Sequence, residues 1–237
     1  MALPKLGYPT YELELPSTGK TIKYRPFLVK EEKVLLMALE SKDEKQVVSA
    51  VKDLIKNCVI TRIKVDNLPS FDLEYLFLKI RGASIGENII LTVTCLDDNE
   101  TQVEANININ DVEIFKPEGH DKKIMFDENT GLVMKYPSMK EFVDREFLQK
   151  EMKTEDVYEF IADSIDQIFD SEEVYDSSTT TKKEFRTFVD SLTTKQFEKI
   201  QKFYETSPKL SHTFKVTNPK TNKESSYTIE GLQSFFA

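Results

Sequence analysis

Histidine and cysteine are nearly absent from this chain of 237 residues, which holds only His120, His212, Cys58 and Cys95. The two histidines lie far apart in sequence with no carboxylate at ligand spacing, so neither a zinc site nor a Ser-His pair finds support. Each reads as a surface histidine. Cys58 falls on an apolar helix pattern and Cys95 at the end of a strand pattern, so no disulfide framework is indicated and both read as packed thiols. Positive charge is also short: 32 Lys and Arg against 41 Asp and Glu leave a net charge of -9. That balance argues against duplex nucleic acid, whose phosphates require a basic footprint, and favours protein partners. No apolar run reaches the roughly 18 residues of a membrane-spanning helix. Met1-Ala-Leu-Pro4 lacks the basic and apolar regions of a signal peptide, so folding in a cytoplasm is expected.

The stretch from Tyr8 to Lys33 carries the most information. Tyr11, Leu13 and Leu15 alternate with Glu12 and Glu14, the period of a strand with one buried face. Pro16-Ser-Thr-Gly19 turns the chain, Thr21 to Tyr24 makes a return strand, and after Pro26 the residues Glu31 to Leu39 read as helix. Gly19-Lys20-Thr21 does not make a nucleotide loop, because a phosphate cradle needs glycine where this sequence has Glu14.

Further along, Ser41 to Glu44 reads as a capping box that starts a helix whose buried stripe includes Val47, Val51, Leu54, Ile55 and Cys58. Pro69-Ser70 starts another helix, with Leu73, Leu76, Phe77 and Ile80 buried until Gly82 and Gly86 weaken it. Ile89 to Thr94 and Val103 to Ile109 form a second hairpin. The polar run Pro117 to Asp121 marks a boundary, so residues 1–117 are expected as an α+β region and 118–237 as a second region. A short hairpin around Asp127 to Gly131 follows. Its spacing fails the calcium-loop pattern, since Gly131 stands where an oxygen ligand is required.

In the second region Ser138, Thr154, Thr181 and Thr193 each precede helix-starting patterns. The predicted apolar stripes run Val157, Phe160, Ile161, Ile165, Ile168, Phe169; then Phe185, Phe188, Val189, Leu192; then Phe197, Ile200, Phe203, Tyr204. Ser171 to Thr180 reads as a loop. A third hairpin, Thr213 to Val216 with Ser226 to Ile229, closes the pattern. The predicted fold class is therefore α+β: antiparallel hairpins with flanking helices in the first half, and a mainly helical second half ending in a hairpin.

Four segments, Leu15-Pro-Ser-Thr-Gly-Lys20, Arg25-Pro-Phe-Leu-Val-Lys-Glu-Glu-Lys33, Asn57-Cys58 and Ser70 to Glu87, occur in an order that resembles the baseplate hub proteins of T-even-type contractile-tailed bacteriophages. The likeness covers the chain through about Phe115. It implies a non-enzymatic structural or assembly role in the tail baseplate hub of the virion, after assembly in the host cytoplasm. The partners it implies are other hub and tail proteins. Related proteins divide between hub subunits and assembly factors absent from the finished particle, and both remain open here. The resemblance also implies a Cys-x-x-Cys knuckle in the terminal hairpin, where this chain has Asn218 and Thr221, so no metal-ribbon role is expected.

A tail hydrolase is the competing class, and it would have to draw its acid and base from the carboxylates. No cluster of His, Cys or metal ligands accompanies any carboxylate pair, so no catalytic residue, cofactor, metal, small-molecule substrate, nucleic acid or membrane is expected. Residues 141–176 carry a local charge of -10 and 195–223 one of +5, which reads as solvated or mutually satisfied faces. Leu232, Phe235 and Phe236 are the expected partner-binding residues, either folded onto the core or offered to a neighbouring subunit. In the second case, deleting residues 232–237 is expected to leave a folded protein that no longer co-purifies with hub proteins. Loss of the folded state itself would count for the core.

Overall fold

The computed structural model describes residues 7–138, 154–176 and 178–231. It divides into two compact units, Met1–Phe115 with Lys209–Ala237, and Lys116–Pro208.

The first unit opens on an antiparallel pair, β1 (Tyr11–Glu14) and β2 (Thr21–Tyr24), with Leu13 opposite Ile22. Burial rises along β1 rather than marking a whole face. Tyr11 stays exposed while Leu15, just past the strand, is buried. Gly19 sits at φ 68° in the connecting turn, a left-handed conformation that glycine adopts without strain. Three helices follow: α1 (Val29–Ser41), α2 (Glu44–Cys58) and α3 (Ser70–Ile85).

The predicted capping box at Ser41 is corrected by the structure. Ser41 is the last residue of α1, and Asp43 caps α2, its carboxylate accepting from the N–H groups of Lys45 and Gln46 at 2.9 and 3.4 Å. Lys42 between them turns at φ 55°, so the two helices are separated by a two-residue elbow. Further on, β3 (Asn88–Thr94) and β4 (Gln102–Asn108) pair antiparallel. β5 (Glu113–Phe115) pairs with β10 (Lys209–Thr217), which pairs in turn with β11 (Glu224–Glu230). Leu78 of α3, Ile89, Leu91, Ile107, Val112 and Leu210 form one buried cluster, so the terminal hairpin shares a core with the strands more than a hundred positions before it.

The second unit holds a four-stranded antiparallel sheet in the order β6-β7-β8-β9. Its strands are Lys123–Met125, Gly131–Met134, Ile165–Phe169 and Val174–Asp176, and its helices are α4 (Thr154–Asp163), α5 (Lys182–Asp190) and α6 (Thr194–Glu205). A methyl group at Gly131 would meet Ile124 O at 2.5 Å and the Phe169 ring at 2.7 Å, so β7 begins at a residue without a side chain.

The expectation of a mainly helical second half is overturned. The protein is mixed α/β, with six α-helices and eleven strands in small sheets among the described residues. Ile165, Ile168 and Phe169 do not extend the helical stripe of Val157 to Ile161. Ser164 ends α4, its N–H and hydroxyl both donating to Phe160 O, and the next five residues are β8. Steps of three and four apolar residues carry across such a boundary unchanged, and a short apolar run has no period of its own to reveal the switch. Part of the predicted loop Ser171 to Thr180 is likewise strand β9. The helix expected from Ser138 lies outside the described residues.

The capping boxes expected at Thr181 and Thr193 are present. Glu184 accepts from Thr181 N–H at 2.8 Å and Gln196 from Thr193 N–H at 2.9 Å. Asp127 accepts from the N–H groups of Asn129 and Thr130 at 2.9 and 2.7 Å, so that segment is a hydrogen-bonded turn.

His120, expected at the surface, is buried in the second unit. Its ring nitrogens lie 2.9 Å from Thr206 Oγ1 and 2.9 Å from Tyr136 Oη, and the ring stacks on Tyr136 and Phe203. Burial, with the positive charges of Lys116 and Lys122 against the weaker pull of Asp121, holds its pKa below the ordinary value. The unfolded chain, with a histidine pKa of about 6.5, therefore binds more protons just below that pH. The stability His120 contributes is full above about pH 6.5 and is lost as the pH falls through the folded value. Going from about pH 7.5 to about 5.5 is expected to lower the melting temperature of the wild type more than that of His120→Gln, followed by near-ultraviolet circular dichroism. Equal pH responses would remove this role.

Candidate functional site

The family-like segments converge inside the first unit, and their contacts explain their residue types. Ser17 donates to Asp72 of α3 through its backbone N–H at 3.0 Å and through its hydroxyl, tying the first turn to a helix 55 positions later. Arg25 N–H donates to Cys58 O at 3.0 Å, and Phe27 N–H donates to Ser84 Oγ at 2.9 Å. The chain leaving β2 is thus held by the ends of both α2 and α3.

The centre of this arrangement is a buried ion pair. Arg25 Nη2 donates to Glu31 Oε1 at 3.1 Å, while Nη1 donates to Pro26 O at 2.8 Å and approaches Cys58 Sγ at 3.7 Å. Glu31 Oε2 accepts from Leu28 N–H at 2.7 Å. Leu28 has no side-chain acceptor to cap α1, and Glu31 reaches back from the first turn to satisfy that end of the helix. Burial alone would raise the Glu31 carboxyl, but the hydrogen bonds from Arg25 and Leu28 outweigh it and leave the pKa below the ordinary value. Burial pushes the Cys58 thiol up to about 11 against the pull of Arg25, so it is protonated near neutral pH and a poor nucleophile.

Because Glu31 is anchored inward, the faces of α1 are assigned. Glu31, Leu35 and Ala38 point into the unit, where α1 packs on α2. Val29, Lys33, Leu36 and Glu40 lie on the roughly opposite side, within about 60° of arc at 3.6 residues per turn. Val29 is 79% exposed, Leu36 52% and the flanking Met37 60%, against 7% for both Leu35 and Ala38. A helix on a solvated surface ordinarily presents polar residues there, so Val29, Leu36 and Met37, interleaved with Lys33 and Glu40, make this face the candidate contact surface. The sequence did carry a signal for it. Val34 to Leu39 is six consecutive apolar residues, more than one buried stripe can hold.

A second polar cluster closes the unit. Buried Asn218 donates through Nδ2 to Asp97 Oδ1 at 2.9 Å and Asp98 Oδ2 at 3.0 Å, and the Thr221 hydroxyl donates to Asp97. Tyr227 Oη donates to Thr94 O at 2.8 Å and accepts from Leu96 N–H at 3.1 Å. Asn218 and Thr221, the positions of the implied knuckle, therefore bind carboxylates of the β3–β4 turn. Hydrogen bonds from Thr101, Asn218 and Glu100 N–H hold the Asp98 carboxyl far below its ordinary pKa. Among the described residues no group of three or more His, Cys, Asp or Glu is placed to hold a metal ion.

The partner-binding residues expected from sequence, Leu232, Phe235 and Phe236, lie outside the described residues. The α1 face was not among those expectations. The basic segment is partly satisfied locally, with Lys209 paired to Glu230 and Lys215 to Glu224, each at 2.7 Å.

A family model described as T4 bacteriophage base plate protein matches residues 8–237. The chain matches no curated protein and no solved structure.

The inward and outward residues of α1 are expected to separate in mutagenesis. Glu31→Ala strands the Arg25 charge in the interior and is expected to cost on the order of 3–5 kcal/mol in urea unfolding. The paired change Leu36→Glu with Met37→Lys keeps the net charge and is expected to cost under about 1 kcal/mol. Similar losses in both would mean that the outer face is structural.

Proposed function

The chain belongs to the T4 bacteriophage base plate protein family, and we propose that it is a non-enzymatic component of the central hub of the tail baseplate. It acts by contacts with other baseplate proteins, either as a resident subunit or as a factor for hub assembly. The observation that carries this reading is the outward apolar face of α1. Val29, Leu36 and Met37 lie outside the buried core, yet the helix that bears them is positioned by the buried contact of Arg25 with Glu31.

The residues with chemical potential support the same reading. Both thiols are buried with raised pKa, and His120 is engaged by Thr206 and Tyr136. Three hydrogen-bonded carboxylates of the first unit, Glu31, Asp72 and Asp98, serve a helix start, a turn and a hairpin clamp.

The test is complementation of a phage lacking this gene product. With the Leu36→Glu/Met37→Lys protein, folded by circular dichroism, recovery of baseplate proteins with a tagged copy is expected to fall at least about tenfold, with loss of complete tails. Full complementation would sink the reading. Mass spectrometry of purified particles beside infected-cell lysate then separates resident subunit from assembly factor.

A further inference from the structure

The outer stripe of α1 is complementary to itself when the helix is reversed. Lys33 and Glu40 stand seven residues apart on that stripe, both exposed, and neither has an ion-pair partner among the described residues. Their midpoint falls between Leu36 and Met37. Two copies of α1 laid antiparallel about a twofold axis at that point set Lys33 of each copy against Glu40 of the other, with Leu36 and Met37 at the centre. A twofold contact requires a self-complementary patch, and opposite charges at equal distances on either side of the axis with apolar groups near it meet that requirement.

Resting on the reading of α1 as a docking face, we propose that the occupant of this face is a second copy of the same chain. The protein then associates as a twofold dimer through antiparallel α1 helices. The packing is that of helix on helix, with a narrow apolar seam flanked by ion pairs that set orientation. A helix of 13 residues is about 20 Å long, and its contact strip is far smaller than the roughly 800 Å² per partner of a standard stable interface. The dimer is therefore weak on its own and sensitive to concentration and salt, as suits a contact completed when further subunits add.

Sedimentation of the purified full chain over a range of concentrations reads the equilibrium directly. The wild type is expected to shift from monomer to dimer as concentration rises. Lys33→Glu places like charges across the axis and is expected to weaken association about tenfold, and Glu40→Lys to do the same. Combining both substitutions in one chain restores the pairing, and so does mixing the two single variants, since each then carries what the other lacks. A wild type that stays monomeric throughout, or single variants that dimerise as tightly as wild type, would overturn the proposal. The outcomes also separate it from the functional reading beneath it. A strict monomer whose Leu36→Glu/Met37→Lys form still loses the baseplate proteins fails as a dimer while keeping the docking face. A dimer whose variant complements fully keeps the self-contact while losing the hub role.

Discussion

The buried contact between Arg25 and Glu31 is the constraint from which the rest of the first unit follows. A carboxylate and a guanidinium withdrawn from water are tolerated only with their hydrogen bonds met, and here Pro26 O, Leu28 N–H and Cys58 meet them. The same carboxylate supplies the acceptor that Leu28 lacks at the start of α1. One side chain therefore sets where the helix begins and how it is rotated. With Glu31 held inward, Leu35 and Ala38 follow one and two turns later, and Val29, Leu36 and Met37 have nowhere to go but outward.

The segments that resemble hub proteins are, on this view, residues of folding. Ser17 with Asp72, Arg25 with Glu31 and Cys58, and Phe27 with Ser84 join pieces of chain up to 57 positions apart. Val29 and Lys33 belong to the same family-like segment as Arg25 and Glu31, so one stretch of chain both anchors α1 inward and carries part of its exposed face.

The first unit is also closed by polar contacts at its far end. Asn218 and Thr221 grip Asp97 and Asp98, and Tyr227 pairs with the backbone of the same turn. Two thiolates at those positions would call for a metal. Asn218 and Thr221 hold the hairpin by donating to Asp97 and Asp98, and Asp98 is also organised by Thr101 and the backbone N–H of Glu100. The depressed Asp98 pKa is the electrostatic trace of that organisation, since each donated hydrogen bond favours the ionised form.

Much of the local structure was legible in the residues: the three hairpins, α2 with its apolar stripe, the start of α3 at Ser70, and the capping boxes at Thr181 and Thr193. These features depend on neighbours within a few positions, where periodicity and side-chain chemistry act directly. The misreadings share one cause. Ser41 and Asp43 are both good caps, and only the elbow at Lys42 selects Asp43. Ile165 to Phe169 is apolar enough for helix or strand, and pairing with β7 decides for strand. His120 is polar by composition but buried because Tyr136, Phe203 and Thr206 enclose it. In each case the deciding partner lies elsewhere in the chain or in the exact backbone path. Composition and pattern alone determined an acidic protein of hairpins and helices, with few groups able to do chemistry. Which side of α1 meets the core was decided by the tertiary structure, because a run apolar all the way round has no preferred face until a buried ion pair turns one side inward.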